Sequence, residues 1–322
     1  MALGSMAAWR FWVDRGGTFT DLIGCDPTGT LHIRKVLSEG VEGDPAVQAM
    51  RELMGIPSGE PIGAAQIESV RLGTTVATNA LLERRGAPLV LLTNSGLADL
   101  LRIGDQHRAD LFALVQSERP FLASEVVEVP GRLDAHGAEL ESPLWNDDLR
   151  NRLADLRGHG FEDVVVALLH AQRNPAHELQ CADELKAVGF SRVVCSHQVS
   201  VKPRLVPRGQ TALVEAAVAP LLHGYLQQVQ TALGSSTPVR VMTSSGALQS
   251  IKDLMAKDTI LSGPAAGMVG AIAAARASGF QRLPVLGFDM GGTSTDVFVL
   301  TRLKMRPCAS CRSKPKSLAF NC

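Results

Sequence analysis

The chain has 322 residues, 45% of them hydrophobic and 20% charged, with 32 basic and 32 acidic side chains in balance. That length suits about two domains and that composition an ordinary globular protein. A formal net charge of zero gives no field for nucleic acid or an acidic membrane surface. No apolar run reaches the roughly 18 residues of a membrane span, and the start of the chain does not read as a secretory leader.

In chain order, Trp9 to Val13, Phe19 to Cys25 and Leu31 to Val36 read as three antiparallel strands, with Asp26-Pro27-Thr28-Gly29 as the second turn. Asp44-Pro45 begins a helix to about Met54. Asp satisfies free N–H groups, Pro fits the first helical position, and Val47, Met50, Leu53 and Met54 fall at helical spacing. Val70 to Leu72 is a short strand entering Gly73-Thr74-Thr75, followed by a helix to about Arg85 and a strand from Pro88 to Leu92. Thr74, Thr75 and Asn79 gather hydroxyls and an amide at a helix start, where they either cap N–H groups or face a ligand.

Trp145 to Leu156 reads as an amphipathic helix, and Val164 to Leu169 as a central strand. Asn174-Pro175-Ala176-His177-Glu178 admits two readings. One is a helix start, with Asn capping, Pro in the first turn and Glu complementing the dipole. The other is a catalytic His–Glu pair beyond the carboxyl end of a strand. Val193 to Cys195 is the next strand, Thr211 to Ala232 a long helix, Val239 to Met242 a strand, and Ser262 to Ala277 a helix of small residues. Cys25, Cys181 and Cys195 have no metal-like spacing and read as buried thiols of a reducing cytoplasm. Cys308 and Cys311 form a lone C-x-x-C, short of the four ligands of a structural zinc site.

One stretch occurs twice. Asp14-Arg15-Gly16-Gly17-Thr18-Phe19-Thr20-Asp21 and Asp289-Met290-Gly291-Gly292-Thr293-Ser294-Thr295-Asp296 agree at six of eight positions. Each follows an apolar run and precedes another, so each reads as strand, tight turn, strand. Paired glycines let backbone N–H groups approach an anion closely and form a concave nest. Gly16, Gly17, Thr18 and Thr20, with Gly291, Gly292, Thr293 and Thr295, would cradle phosphates. The leading Asp14 and Asp289 would hold Mg²⁺ through water, since that ion keeps most of its hydration shell. Neither copy is a Walker A loop or GxGxxG.

Paired Asp-x-Gly-Gly-Thr loops resemble the two phosphate loops of actin-like (ribonuclease H-like) ATPases. Together with Gly73-Thr74-Thr75-Val76-Ala77-Thr78-Asn79, Asn174-Pro175-Ala176-His177-Glu178 and Ser262-Gly263-Pro264-Ala265, they resemble the hydantoinase A/5-oxoprolinase family over about Phe11 to Leu300. Arg15 and Leu37-Ser38-Glu39 look closer to the 5-oxoprolinase branch. The resemblance implies an α/β fold of the actin-like type, with the first half complete and the second cut short. It implies ATP and Mg²⁺ as cofactors, a small cyclic amide as substrate, and a hydantoinase B-type partner subunit or domain. It places Asp14, Asp289, Thr75 and Asn79 at the reacting centre, with Thr74 beside them.

The implied division is 1–202 for the N-terminal ribonuclease H-like domain, 203–300 for the start of a second domain, and 301–322 for an atypical tail. Where the family carries a Glu-Tyr-Glu-Arg-like stretch, this chain has Pro203-Arg204-Leu205-Val206-Pro207-Arg208. The tail holds six Lys or Arg and no acid, which leaves the rest of the chain at −6, and it reads as disordered. Two other classes stay open on sequence alone: a nucleotide-gated binding protein of the actin or heat-shock type, and an inactive fragment.

Overall fold

The structure is a computed structural model that describes residues 8–38, 43–57, 60–63, 65–106, 110, 112–115, 120–280, 284–290 and 295–300. Unit 1 comprises Met1–Asn79 and Leu222–Cys322, and unit 2 comprises Ala80–Leu221. The boundary expected at 202/203 lies inside unit 2.

In unit 1, β1 (Trp9–Arg15), β2 (Phe19–Cys25) and β3 (Leu31–Leu37) form the expected antiparallel meander. Asp26 closes its second turn by accepting from the N–H groups of Thr28 and Thr30 and from the Thr28 hydroxyl. The Thr28 hydroxyl, then His32, hold that carboxyl well below its ordinary range. Helix α1 (Pro45–Met54) starts where Asp44 accepts from Ala46 N at 3.0 Å and Val47 N at 3.1 Å, and it stops at Gly55, whose φ of 68° suits glycine. Its face of Ala46, Val47, Ala49 and Met50 is buried. Next come β4 (Ile67–Thr74), parallel to β1, and α2 (Val76–Leu82).

Unit 2 contains β5 (Leu89–Asn94), α3 (Leu100–Ile103), β6 (Ala123–Val129), β7 (Arg132–Leu133), β8 (Glu139–Glu141), α4 (Asp147–Gly158), β9 (Asp163–Ala167), α5 (Ala176–Val188), β10 (Arg192–Cys195), α6 (Ser196–Val199) and α7 (Leu205–Leu233), the last belonging to unit 2 as far as Leu221. Strands β10, β9, β5 and β6 lie side by side in that order, all parallel. Every residue of β5 and β9 is buried, as expected for parallel strands covered on both faces. On one face, Val90, Leu92, Val164 and Val166 pack with Leu149, Leu153, Cys181 and Leu185 of α4 and α5. On the other, Gly209 of α7 lets the helix close down: a Cβ there would meet Leu101 at 2.6 Å and Ala167 at 3.3 Å. Helix α7 begins at Leu205 rather than Thr211 because Pro207 falls in its first turn, where a missing N–H costs no helical bond.

The chain returns to unit 1 with β11 (Val239–Met242), β12 (Leu248–Ser250), α8 (Ser262–Ala277), β13 (Val285–Met290) and β14 (Thr295–Leu300). The larger sheet has the order β12-β11-β4-β1-β2-β3, while β13 and β14 form a two-stranded antiparallel pair. The start of α8 is fastened to β4 by the Ser262 hydroxyl, which donates to Thr74 O at 3.1 Å. The Thr78 hydroxyl donates to Ile260 O just before that helix. Among the described residues no helix is long and apolar enough to cross a membrane. The tail 301–322, with Cys308 and Cys311, lies outside the described residues.

Candidate functional site

The first glycine loop joins β1 to β2, with Asp14 opposite Asp21 and Arg15 opposite Thr20 in the ladder. Gly16 N donates to Phe19 O at 3.0 Å and closes the turn. Side chains are ill suited here: a Cβ on Gly16 would lie 2.9 Å from Phe19 O, and one on Gly17 would lie 3.2 Å from Asn79 Nδ2, which would have to give way. The loop therefore presents bare backbone. Ser38, just past β3, holds it from behind. Its N–H donates to Thr18 O at 2.9 Å and its hydroxyl to Gly16 O at 2.8 Å. Thr20 is fully buried and shares a 2.9 Å hydrogen bond with Ser38 Oγ, so its hydroxyl braces the loop from inside.

The parallel pairing of β1 with β4 brings in the second set of residues. Asp14 lies opposite Gly73, where a Cβ would meet Asp14 Oδ1 at 3.2 Å. Thr75 donates to Arg15 O from its N–H at 3.0 Å and its hydroxyl at 3.2 Å, and Asn79 Nδ2 reaches Thr75 Oγ1 at 3.4 Å. Thr74 is buried, and its Oγ1 accepts from Val76 N at 3.2 Å. Thr74 Oγ1 thus meets the first N–H of α2, while Thr75 and Asn79 lie against the glycine loop. The Arg15 guanidinium sits 4.3 Å over the Tyr225 ring and 4.0 Å from the Asp44 carboxylate.

The second copy has the same frame. Asp289 lies opposite Asp296 and Met290 opposite Thr295, the register of Asp14 with Asp21 and Arg15 with Thr20. Gly291, Gly292 and Thr293 lie outside the described residues, as do the side chains of Asp289 and Thr295.

Unit 2 holds a polar cluster that the sequence did not single out. His177 and Glu178 do not pair with each other. His177 Nε2 meets Glu139 Oε2 at 2.7 Å, and Glu139 is held below its ordinary range by the Ser142 hydroxyl first and His177 second. Glu178 turns inward rather than toward its helix N-terminus. Its Oε1 accepts from Leu168 N at 2.9 Å and Ser196 Oγ at 2.5 Å; its Oε2 faces His197 N at 3.0 Å and His197 Nδ1 at 2.5 Å.

Arg208 ends the stretch that departs from the family pattern, and it is fully buried. It donates to Ser196 Oγ at 2.9 Å, Gln172 Oε1 at 2.9 Å, Lys202 O at 3.1 Å and Leu168 O. Burial lowers its affinity for the proton, and Glu178 opposes that. Glu178, Cys195 and His197 bring three metal-type donors within 4.8 Å of one another. The carboxylate is already occupied by four partners, and burial pushes the Cys195 thiol up to about 12. The group reads as a hydrogen-bonded cluster rather than a metal cage.

Comparison with known proteins gives the setting. Residues 10–189 match the family described as Hydantoinase/oxoprolinase N-terminal region, and 208–310 that described as Hydantoinase/oxoprolinase. The 5-oxoprolinase 1 of Arabidopsis thaliana is 34% identical over 319 residues, covering 89% of this chain and 25% of its own length. The caprolactamase subunit alpha of Pseudomonas jessenii is 30% identical over 307 residues, covering 91% of this chain and 43% of its own. The solved ATP-dependent caprolactamase from that organism has a TM-score of 0.70 at 27% identity, covering 90% of this chain and 43% of that one. Nucleotide-free acetone carboxylase has a TM-score of 0.76 at 23% identity, covering 92% and 44%, a likeness of fold. The chain thus spans about a quarter of the 5-oxoprolinase and under half of the others. It belongs to the hydantoinase/oxoprolinase family and has that family's mixed α/β fold of the actin-like ATPase type.

Proposed function

We propose that this chain supplies the nucleotide loops of an ATP-dependent hydrolase of cyclic amides of the 5-oxoproline or hydantoin type, working with a hydantoinase B-type partner. The observation that carries the reading is the first loop: two glycines whose Cβ positions are crowded by Phe19 O and Asn79, set beside Asp14, Thr75 and Asn79. That donor set fits a phosphate chain and a hydrated Mg²⁺. The backbone N–H groups of Gly17 and Thr18 would meet phosphate oxygens, Gly16, whose own N–H goes to Phe19 O, would allow the close approach, and Asp14 would hold the ion's water. Asp289, Gly291, Gly292 and Thr293 would have the same roles in the second copy, with Thr295 in the bracing position of Thr20. Thr75 and Asn79 line the acceptor side.

A cyclic amide is a poor electrophile. Passing the γ-phosphoryl to its oxygen breaks a P–O bond to ADP and makes the ring carbon open to water. One water adds to that carbon, the C–N bond breaks as the ring nitrogen takes a proton, and a second water cleaves the acyl phosphate left behind, releasing phosphate and the new carboxylate. Such transfer needs positioning and neutralisation of charge more than covalent chemistry. Mg²⁺, when bound, supplies part of that neutralisation. The caprolactamase relative is a subunit alpha, which supports a partner here. The free, buried thiols Cys25, Cys181 and Cys195 suit a reducing cytoplasm.

Calorimetric titration of ATP with Mg²⁺ into the chain tests the loop. Saturable binding is expected, weakened at least tenfold in Asp14→Asn. Equal binding in the variant would remove the role given to Asp14, and no binding in the parent would remove the nucleotide site. With the partner present, ADP release that depends on 5-oxoproline or hydantoin is the expected activity.

A further inference from the structure

Two glycines in succession can take many shapes, so a loop that receives phosphates through its backbone has to be fixed from both ends. The far end is accounted for: Ser38 donates to Thr18 O and Gly16 O and braces Thr20. The near end is Arg15, the last side chain before the glycines. Its carbonyl accepts from the N–H and the hydroxyl of Thr75, while its guanidinium sits 4.3 Å over the Tyr225 ring and 4.0 Å from Asp44 Oδ2.

Both holders of that guanidinium are themselves held. Asp44 caps α1 with Oδ1, on the N–H groups of Ala46 and Val47, and turns Oδ2 to Arg15. Tyr225 lies in α7 and is 8% exposed. Its hydroxyl makes no hydrogen bond among the described residues, and burial, then Asp44, push its pKa up. The ring face, not the hydroxyl, is what Tyr225 offers Arg15. A cation over a desolvated ring is held more firmly than one in an exposed ion pair. Arg15, Asp44 and Tyr225 all belong to unit 1.

We propose that Arg15 is a positioning residue for the glycine loop: held by the Tyr225 ring and the Asp44 carboxylate, it keeps Gly16, Gly17 and Thr18 in the shape that receives phosphate oxygens before any ligand arrives. The phosphate rests on the proposed function; the clamp does not.

Amide hydrogen exchange by NMR on the nucleotide-free full chain, followed by calorimetric titration of Mg–ATP, tests this. The Gly16 N–H, bonded to Phe19 O, and the Thr75 N–H, bonded to Arg15 O, report on the loop. The Val70 N–H, bonded to Pro238 O, reports on the rest of the unit 1 sheet. Arg15→Gln should speed exchange of the first two by roughly tenfold, leave Val70 unmoved, and weaken Mg–ATP by about fivefold. Tyr225→Leu should do the same, while Tyr225→Phe, which keeps the ring, should match the parent. Should Tyr225→Leu fail to fold, Arg15→Gln, at a partly exposed side chain, and Tyr225→Phe still decide. An equal rise at Val70, or a Tyr225→Phe variant as loose as Arg15→Gln, would overturn the inference. Parent-like exchange at Gly16 and Thr75 in Arg15→Gln, beside saturable Mg–ATP binding by the parent, would sink this inference alone. No Mg–ATP binding by the parent, with the loop loosened in Arg15→Gln, would sink the proposed function and leave the clamp standing.

Discussion

The glycine loop of unit 1 and the Glu178 cluster of unit 2 are both polar sites at strand ends, built in opposite ways. The loop is contiguous and made of backbone, with its shape set by the side chains it lacks. The cluster is centred on the side chains of Glu178, Ser196, His197 and Arg208 with backbone groups of Leu168, His197 and Lys202 about them, and it draws on residues as far apart as Leu168 and Arg208. A backbone site fails by being filled, with little loss of stability. A side-chain cluster fails by losing a member, which strands a buried charge.

The sharpest break is Arg208→Met. It removes a buried cation that reaches Glu178 through Ser196 Oγ and leaves Gln172 and the Leu168 and Lys202 carbonyls without that donor, and breaking a buried charged network of this kind costs about 3–5 kcal/mol. Denaturant unfolding of the full chain should show that loss, and a change under ~1 kcal/mol would mean that the cation is dispensable. Ser38→Ala probes the loop's brace and strands the buried Thr20 hydroxyl, for about 2 kcal/mol in the same assay. Gly17→Ala pushes a methyl toward Asn79 and should cost about tenfold in nucleotide affinity, ~1.4 kcal/mol, with the melting temperature nearly unmoved. If stability falls and affinity does not, the contrast between the two sites is wrong.

Asp44→Ala removes the α1 cap, for about 1 kcal/mol, and the carboxylate 4.0 Å from Arg15. Smallest is the acid limb of stability. Glu139 is held below its ordinary value in the folded chain, so its contribution is present above the ordinary carboxyl range and lost as pH falls through the folded value. Glu139→Gln should flatten that limb slightly and leave the neutral range unchanged.

Much of this was legible in the sequence where the signals are local. The meander, the Asp44-Pro45 start, the Ser262 helix and the frame of both glycine hairpins come from turn chemistry and spacing within about eight residues. His197 carried no local signal, and Glu178 read either as a dipole partner for its own helix or as half of a pair with His177. The clue was positional: Ser196-His197 directly follows β10, the parallel neighbour of β9, and Leu168 directly follows β9. Adjacent parallel strands bring such residues together, but only once the pairing is known. Arg208 was read as part of a departure from the family pattern, and its burial depends on α7 starting at Leu205.

Arg208 has a consequence for how unit 2 assembles. Its partners come from the end of β9, the turn after it, the start of α6 and the segment leading into α7. The full set of bonds is made only when all four pieces have arrived. A collapsed chain with one strand out of register would trap a bare guanidinium among apolar residues. The same side chain that secures the finished sheet therefore penalises its near-misses and works as an inspector of assembly.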